Sequence, residues 1–202
     1  MKRTADHVIL GLVVLNCAVT FNWQKVKRFP SRQPVMLRHF TTSTKHLEEG
    51  RYYTLLTSVF SHADLGHLFA NMVGLYFFGT QMCAVLGPRR FLGIYLGSGV
   101  LSSLATVLEQ KFSDKVSMNL GASGAINSVT AMSILLNPRS TLLVFGFIPL
   151  QAWVTGSLFI TKDLYGWVTD SRDGVAHFAH LSGALCGGAY YAYLRQAKKL
   201  VR

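Results

Sequence analysis

The 202 residues carry few charges, and these cluster, leaving six long runs with none: Val8–Trp23, Leu68–Leu86, Phe91–Leu108, Val116–Asn137, Ser140–Thr161 and Gly174–Leu194. A helix needs roughly 20 apolar residues to cross the hydrocarbon core of a bilayer. The first run is the shortest, at 16 residues, and holds Asn16 and Asn22. Backbone polar groups in lipid must find partners within their own segment, so each run is expected to be a helix. The period-two alternation of a membrane barrel is absent. Half of the residues are hydrophobic, only 14% are charged, and the mean hydropathy is +0.31. The expected fold is an all-α, polytopic membrane protein: one domain over residues 1–202, built as a six-helix bundle.

Lys2 and Arg3 ahead of Val8–Val19 also fit the start of a signal peptide. No small-residue cleavage site follows, and removal would leave five helices, so a retained first helix is expected. Cys17, Cys83 and Cys186 fall inside the apolar runs, are odd in number and lack metal spacing. They read as packing residues, with no disulfide, no metal and no cofactor. The net charge of +11 raises the question of nucleic acid. The basic residues lie in loops and tails without interleaved aromatics, a pattern that suits anionic lipid and not a nucleic-acid partner. The long Gln24–Asp64 connection contains Pro30 and Pro34, and its Met36–Phe40 and Val59–Phe60 pieces are apolar enough to lie at the bilayer interface.

Chemistry enters with Gly121-Ala122-Ser123-Gly124-Ala125, which places a serine near the start of the fourth run. The sixth run carries His177 and His180, followed by Gly183 and Gly187. Serine is common where transmembrane helices pack, but ionisable side chains inside spans are functional by default. With six spans, the even-numbered helices all start from the side opposite the termini. At 1.5 Å per residue, Ser123, His180, His67 and Asn71 then lie within roughly 10 Å of one face. His67, Asn71 and Gly74 share one helix stripe, as do His180, Gly183 and Gly187, and Gly124 with Ser128 offers a matching small surface. The fourth and sixth helices can therefore pack backbone to backbone, bringing Ser123 towards His180. His177 projects roughly 60° away from His180 and is expected to meet the last loop or water.

Asp6, Glu48, Glu49, Asp64, Glu109, Asp114, Asp163, Asp170 and Asp173 all fall in expected loops or at helix ends. A carboxylate partner is therefore not expected, and the site should run as a Ser–His dyad. Histidine would take the hydroxyl proton, and the alkoxide would attack a carbonyl. The oxyanion needs preorganised donors, for which the Ser123 backbone N–H and the side chains of His67 and Asn71 are candidates.

At these residues the chain resembles the rhomboid intramembrane serine proteases. His62-(x4)-His67-(x3)-Asn71, Gly121-Ala122-Ser123-Gly124 and His180-Leu181-Ser182-Gly183-(x3)-Gly187 match the family's second-, fourth- and sixth-helix motifs in order. The resemblance implies Ser123 as nucleophile, His180 as general base, His67 and Asn71 as oxyanion donors, and Gly121, Gly124, Gly183 and Gly187 as structural support. It also implies cleavage of single-pass membrane proteins, whose helix must unwind at the site. The stretches FSHADLGH, NMVGLYFFG and AHFAH look most like the mitochondrial branch, which implies the mitochondrial inner membrane. Two positions depart from the family pattern. Tyr53-Thr54 stands where many members have Trp-Arg, and Asn127 where some have a tyrosine that supports the histidine. Two rival classes use the same residues: a rhomboid-like protein that binds clients without cutting, and a haem or metal protein using His67, His177 and His180. Retention of both Ser123 and His180 argues against the first. The lack of intramembrane carboxylates and of cysteine spacing argues against the second.

Overall fold

The computed structural model describes residues 2–113, 117–144, 146–171 and 173–199. The first helix, α1 (Lys2–Arg28), has 27 residues and so runs about 40 Å. It ends with Lys25, Lys27 and Arg28, cations that suit a helix C-terminus. The connection that follows holds three short helices, α2 (Gln33–Phe40), α3 (Thr44–Glu48) and α4 (Thr54–Thr57). The next rod is continuous from Leu65 to Leu86. It consists of α5 (Leu65–Gly74), a π-helical stretch (Leu75–Gly79) and α6 (Thr80–Leu86). Gly87, at φ +78°, then turns the chain, and Pro88 opens α7 (Pro88–Phe112), where its missing N–H costs nothing.

Among the described residues, three helices are long and apolar enough to cross a membrane: Thr4–Arg28, Leu65–Leu86 and Pro88–Phe112. The remaining helices, α8 (Ser123–Leu136), α9 (Ala152–Val168) and α10 (His177–Gln196), lie on the other three expected runs with altered bounds.

The fourth helix starts at Ser123 and has 14 residues. Its expected start, Val116, lies outside the described residues. The chain just before Ser123 is held extended: Thr42 and Asn119 exchange two backbone hydrogen bonds of 2.8 Å, and Gly121 sits at φ +130° while donating to the Ser58 carbonyl. No helix can run through such a segment. The expected helix over Ser140–Thr161 is also corrected. Residues Thr141–Val144 (β1) and Ile148–Gln151 (β2) form an antiparallel hairpin, pairing Thr141 with Gln151 and Val144 with Ile148. Pro138 stops α8 at Asn137, and Pro149 would break any helix drawn through it. α9 therefore begins only at Ala152 and runs on to Val168, past the expected end at Thr161.

α8 is buried nearly all round, by Gly124, Ala125, Ile126, Ser128, Val129, Thr130, Met132 and Ser133. It is the central post, its Val129 and Met132 sharing one core cluster with Leu75, Met82, Phe91, Tyr95 and Leu194. Its contact with α10 is backbone to backbone. A Cβ added at Gly183 would overlap the carbonyl oxygen of Gly124, and one at Gly187 that of Ser128. The close approach expected for these glycines is present. Gly187→Val should therefore lower stability by about 2 kcal/mol or more, since the obstacle is backbone that cannot rotate away. Reversible unfolding in detergent, compared with the exposed Gly93→Ala control, measures it.

Candidate active site

Three local devices build the site at one end of the bundle. Asp64 caps α5 by accepting the His67 backbone N–H at 2.9 Å, which fixes the turn carrying the His67 side chain. That N–H also holds the Asp64 carboxyl below the usual carboxylate range. The His67 ring then lies over the α-carbon of Gly121, where an added Cβ would sit 2.7 Å from His67 Cε1. Gly121 is thus required twice, by its positive φ and by the imidazole above it. Ser123 follows as the first residue of α8, half-buried, where backbone N–H groups lack intrahelical partners.

His62 organises the second device. Its ring is fully buried, and Nε2 lies 3.1 Å from Asn71 Nδ2 and 3.4 Å from the Ala122 backbone nitrogen. Both partners are donors, so Nε2 accepts and the proton sits on Nδ1. Burial holds the His62 pKa down at about 3, with the neighbouring His67 adding to the effect. Trp23 Nε1 donates to Ser61 Oγ at 2.6 Å and ties this turn to α1. Asn71, 6% exposed, also donates Nδ2 to the His67 carbonyl at 3.1 Å. Its two amide protons are thus held by His62 and by the chain of α5.

The third device corrects the expected place of Asp163. Asp163 was expected outside the spans; it lies within α9, 7% exposed, and faces the sixth helix. His180 Nδ1 lies 3.2 Å from each of its carboxylate oxygens, and His177 Nδ1 lies 2.8 Å from Oδ1. His177 is 5% exposed and meets both this carboxylate and Asp173 of the last loop, one of the two contacts expected for it. Of the other carboxylates, Asp114 lies outside the described residues.

Ser123 and His180 are brought to the same helix crossing by their neighbours. Gly124 abuts Gly183, and an added Cβ at Gly124 would also lie 3.4 Å from the Ala179 carbonyl oxygen. A direct Ser123–His180 hydrogen bond is not among those the described residues make; the imidazole bonds instead to Asp163. Below His180 a largely apolar cavity of about 670 Å³ opens between α8, α9 and α10, with Asn127, Thr130, Gly156 and Asp163 in its wall. Among the described residues, no group of three or more His, Cys, Asp or Glu side chains is placed to hold a metal ion. The three cysteines are free, and Cys17 is exposed.

Two functional candidates escaped the reading of the sequence. Asp163 lies just beyond the uncharged run that ends at Thr161, a place that reads as a loop or helix end. The signal that would have found it is Pro149, which forces the fifth helix to start late and therefore to extend past Thr161. His62 was quoted within a motif but given no role, and only the buried contacts to Asn71 and Ala122 supply one.

Comparison with known proteins gives the context for this geometry. The rhomboid domain model matches residues 49–197. The chain belongs to the rhomboid family. It is 34% identical over 95% of its length to RHOMBOID-like protein 12, mitochondrial, of Arabidopsis thaliana. It is 31% identical over 93% to the human presenilin-associated rhomboid-like protein, mitochondrial, and 30% identical over 97% to rhomboid protein 1, mitochondrial, of Saccharomyces cerevisiae. The matches cover 59%, 48% and 56% of those proteins, so this rhomboid chain spans about half the length of the curated relatives it matches.

The buried neutral His62 makes a stability prediction. Its folded pKa lies below the unfolded value of 6.5, so only the unfolded chain takes up a proton as pH falls through 6.5. Stability from this residue is full above that value and declines steadily between pH 6.5 and about 3. Between pH 6.5 and 5 the wild type should lose about 1–2 kcal/mol more than His62→Gln, read from denaturant unfolding at both pH values.

Proposed function

We propose that this rhomboid is an intramembrane serine protease that cuts the transmembrane segment of single-pass membrane proteins. In this reading residues 1–202 form one domain, and α1, the Leu65–Leu86 rod, α7, α8, α9 and α10 are its six spans. The short α8 is accommodated because it is surrounded by protein. Its N-terminal end lies in polar surroundings and not in lipid. The observation that carries the proposal is the His180–Asp163 contact beside the start of α8. A carboxylate can only accept, so it holds the His180 proton on Nδ1 and leaves Nε2 as the base. Asp163 acts here as a positioning residue, as the buried aspartate does in the soluble serine-protease triad.

His180 Nε2 takes the Ser123 proton, and Oγ attacks the scissile carbonyl. The Ser123 backbone N–H, His67 and Asn71 receive the oxyanion. Asn71 exchanges its bond to His62 Nε2 for one to the oxyanion, and His62 keeps the Ala122 N–H. Proton return from His180 to the leaving amine ends the acylation, and water completes hydrolysis. No cofactor is needed. The relatives carry "mitochondrial" in their names, which supports placing this chain in the mitochondrial inner membrane, in contact with bilayer lipid and with no nucleic-acid partner.

A fluorophosphonate probe should label Ser123 in the solubilised protein, and Ser123→Ala should lose labelling together with cleavage of a co-expressed single-pass substrate. Loss of the nucleophile costs on the order of 10⁶ in kcat in a soluble serine protease. His180→Ala should be equally silent. Asp163→Asn should fall by roughly 10²–10⁴, and His67→Ala or Asn71→Ala by roughly 10²–10³. Cleavage undiminished in Ser123→Ala would refute the protease. An unlabelled wild type with intact folding would favour a client-binding protein.

A further inference from the structure

His177 is a buried imidazole that the mechanism above does not use, yet it has a carboxylate at each ring nitrogen. Nδ1 lies 2.8 Å from Asp163 Oδ1, the same oxygen that lies 3.2 Å from His180 Nδ1. Nε2 faces Asp173 Oδ1 at 3.3 Å, an ion-pair contact and not a formed hydrogen bond, and among the described residues it has no hydrogen-bond partner. The ring is pressed so close to α9 that a Cβ at Gly166 would overlap it. Asp173 in turn accepts the Val175 N–H at 2.9 Å, the contact that keeps its carboxyl below the usual range. It is therefore built into the turn that leads into α10.

We propose that His177 is a second positioning residue: it ties the Asp173–Ala176 turn to the carboxylate that orients the base, coupling the turn to the setting of His180. The proposal rests on the protease reading for its catalytic half only. A neutral imidazole has one proton to give, and the shorter contact places it on Asp163. Nε2 then presents a lone pair to the Asp173 carboxylate, and the turn is held only by packing. An imidazolium donates at both ends and closes the tie. Among the described residues, the charged and titratable groups around the ring are Asp163 and Lys162 from α9, Glu109 from α7, Asp170 and Asp173 from the connecting segment, and His180 from α10 itself. A cavity of about 410 Å³ adjoins the turn, with Gln110, Gly166, Val175 and His177 in its wall, so a released turn has space to enter.

Sharing also acts on the base. While His177 donates to Asp163, part of that carboxylate's charge is taken up, and less remains to stabilise a protonated His180. Removing the donor should favour the imidazolium and move the acid limb of the rate profile to higher pH. A role limited to packing would lower the rate without moving the limb.

The test compares wild type, His177→Phe, His177→Gln and Asp173→Ala in detergent. Hydrogen exchange reads protection of amides 173–176, and the fluorophosphonate labelling rate of Ser123 is followed against pH. His177→Phe keeps ring volume but no donor. It should lose protection by roughly tenfold at acid pH, where the wild-type imidazolium closes the tie, and move the acid limb up by roughly half a unit or more. His177→Gln can donate to Asp163, so the limb should return towards wild type while protection stays low. Asp173→Ala should lose protection with the limb unmoved. A limb that stays fixed in His177→Phe overturns the catalytic half, and unchanged protection in both His177→Phe and Asp173→Ala overturns the tie. If His177→Phe does not fold, His177→Leu, which also lacks a donor, takes its place for the limb, and His177→Gln and Asp173→Ala decide the tie. A wild type that is not labelled refutes the protease reading, and the exchange measurements still decide the tie.

Discussion

The backbone contact between α8 and α10 is the constraint on which the site depends. Gly183 and Gly187 leave no room for a side chain against the carbonyls of Gly124 and Ser128. Lipid tails are as apolar as leucine, so there is no hydrophobic force to drive two such helices together in a bilayer, and close packing of small residues has to do it. The consequence reaches the chemistry within one turn. Gly124 follows Ser123, and Gly183 lies three residues beyond His180. The contact that joins the helices therefore also sets the separation of the nucleophile and base proposed here.

Polar groups are concentrated at one end of the bundle, and most are already committed to one another. His62 accepts from Asn71 and Ala122, Asp64 accepts from His67, and Asp163 accepts from both His177 and His180. An unpaired group in this setting would cost far more than its partner returns. The same bonds also fix ring tautomers. His62 must carry its proton on Nδ1 to accept at Nε2, and His180 must carry its own on Nδ1 to donate to Asp163. The His62 arrangement leaves its Nδ1–H buried without a partner among the described residues, and the His180 arrangement leaves Nε2 as the basic nitrogen of the proposed mechanism.

Much of this was legible in the sequence, because uncharged length and helical stripes are properties of single segments. The six runs each hold a helix, and the stripe of His180, Gly183 and Gly187 meets the surface of Gly124 and Ser128 as its spacing requires. The failures lie where two distant segments decide the local structure. Thr42 pairs with Asn119 and keeps the chain extended before Ser123, which no property of Val116–Leu120 foretells. Pro149 marks the hairpin within a run whose lack of charge favours a helix, and the hairpin and the place of Asp163 depend on it together. The curated relatives extend the family beyond this chain, and their length is not visible in its residues.

Asn127 and Asp163 now explain one another. The family pattern has members in which a tyrosine four residues after the serine supports the histidine, and a ring there would occupy the space beneath His180. With Asn127 in that place, the space is part of the 670 Å³ cavity, and no aromatic ring is paired with the imidazole among the described residues. Asp163 meets the same ring at Nδ1 from the other helix of the cavity wall. Stacking fixes the plane of an imidazole but leaves its tautomer free, whereas two carboxylate oxygens at equal distance restrain both. A chain without the aromatic therefore has a specific need for an acceptor on α9, and the start of that helix beyond Pro149 is what brings Asp163 to the level of His180.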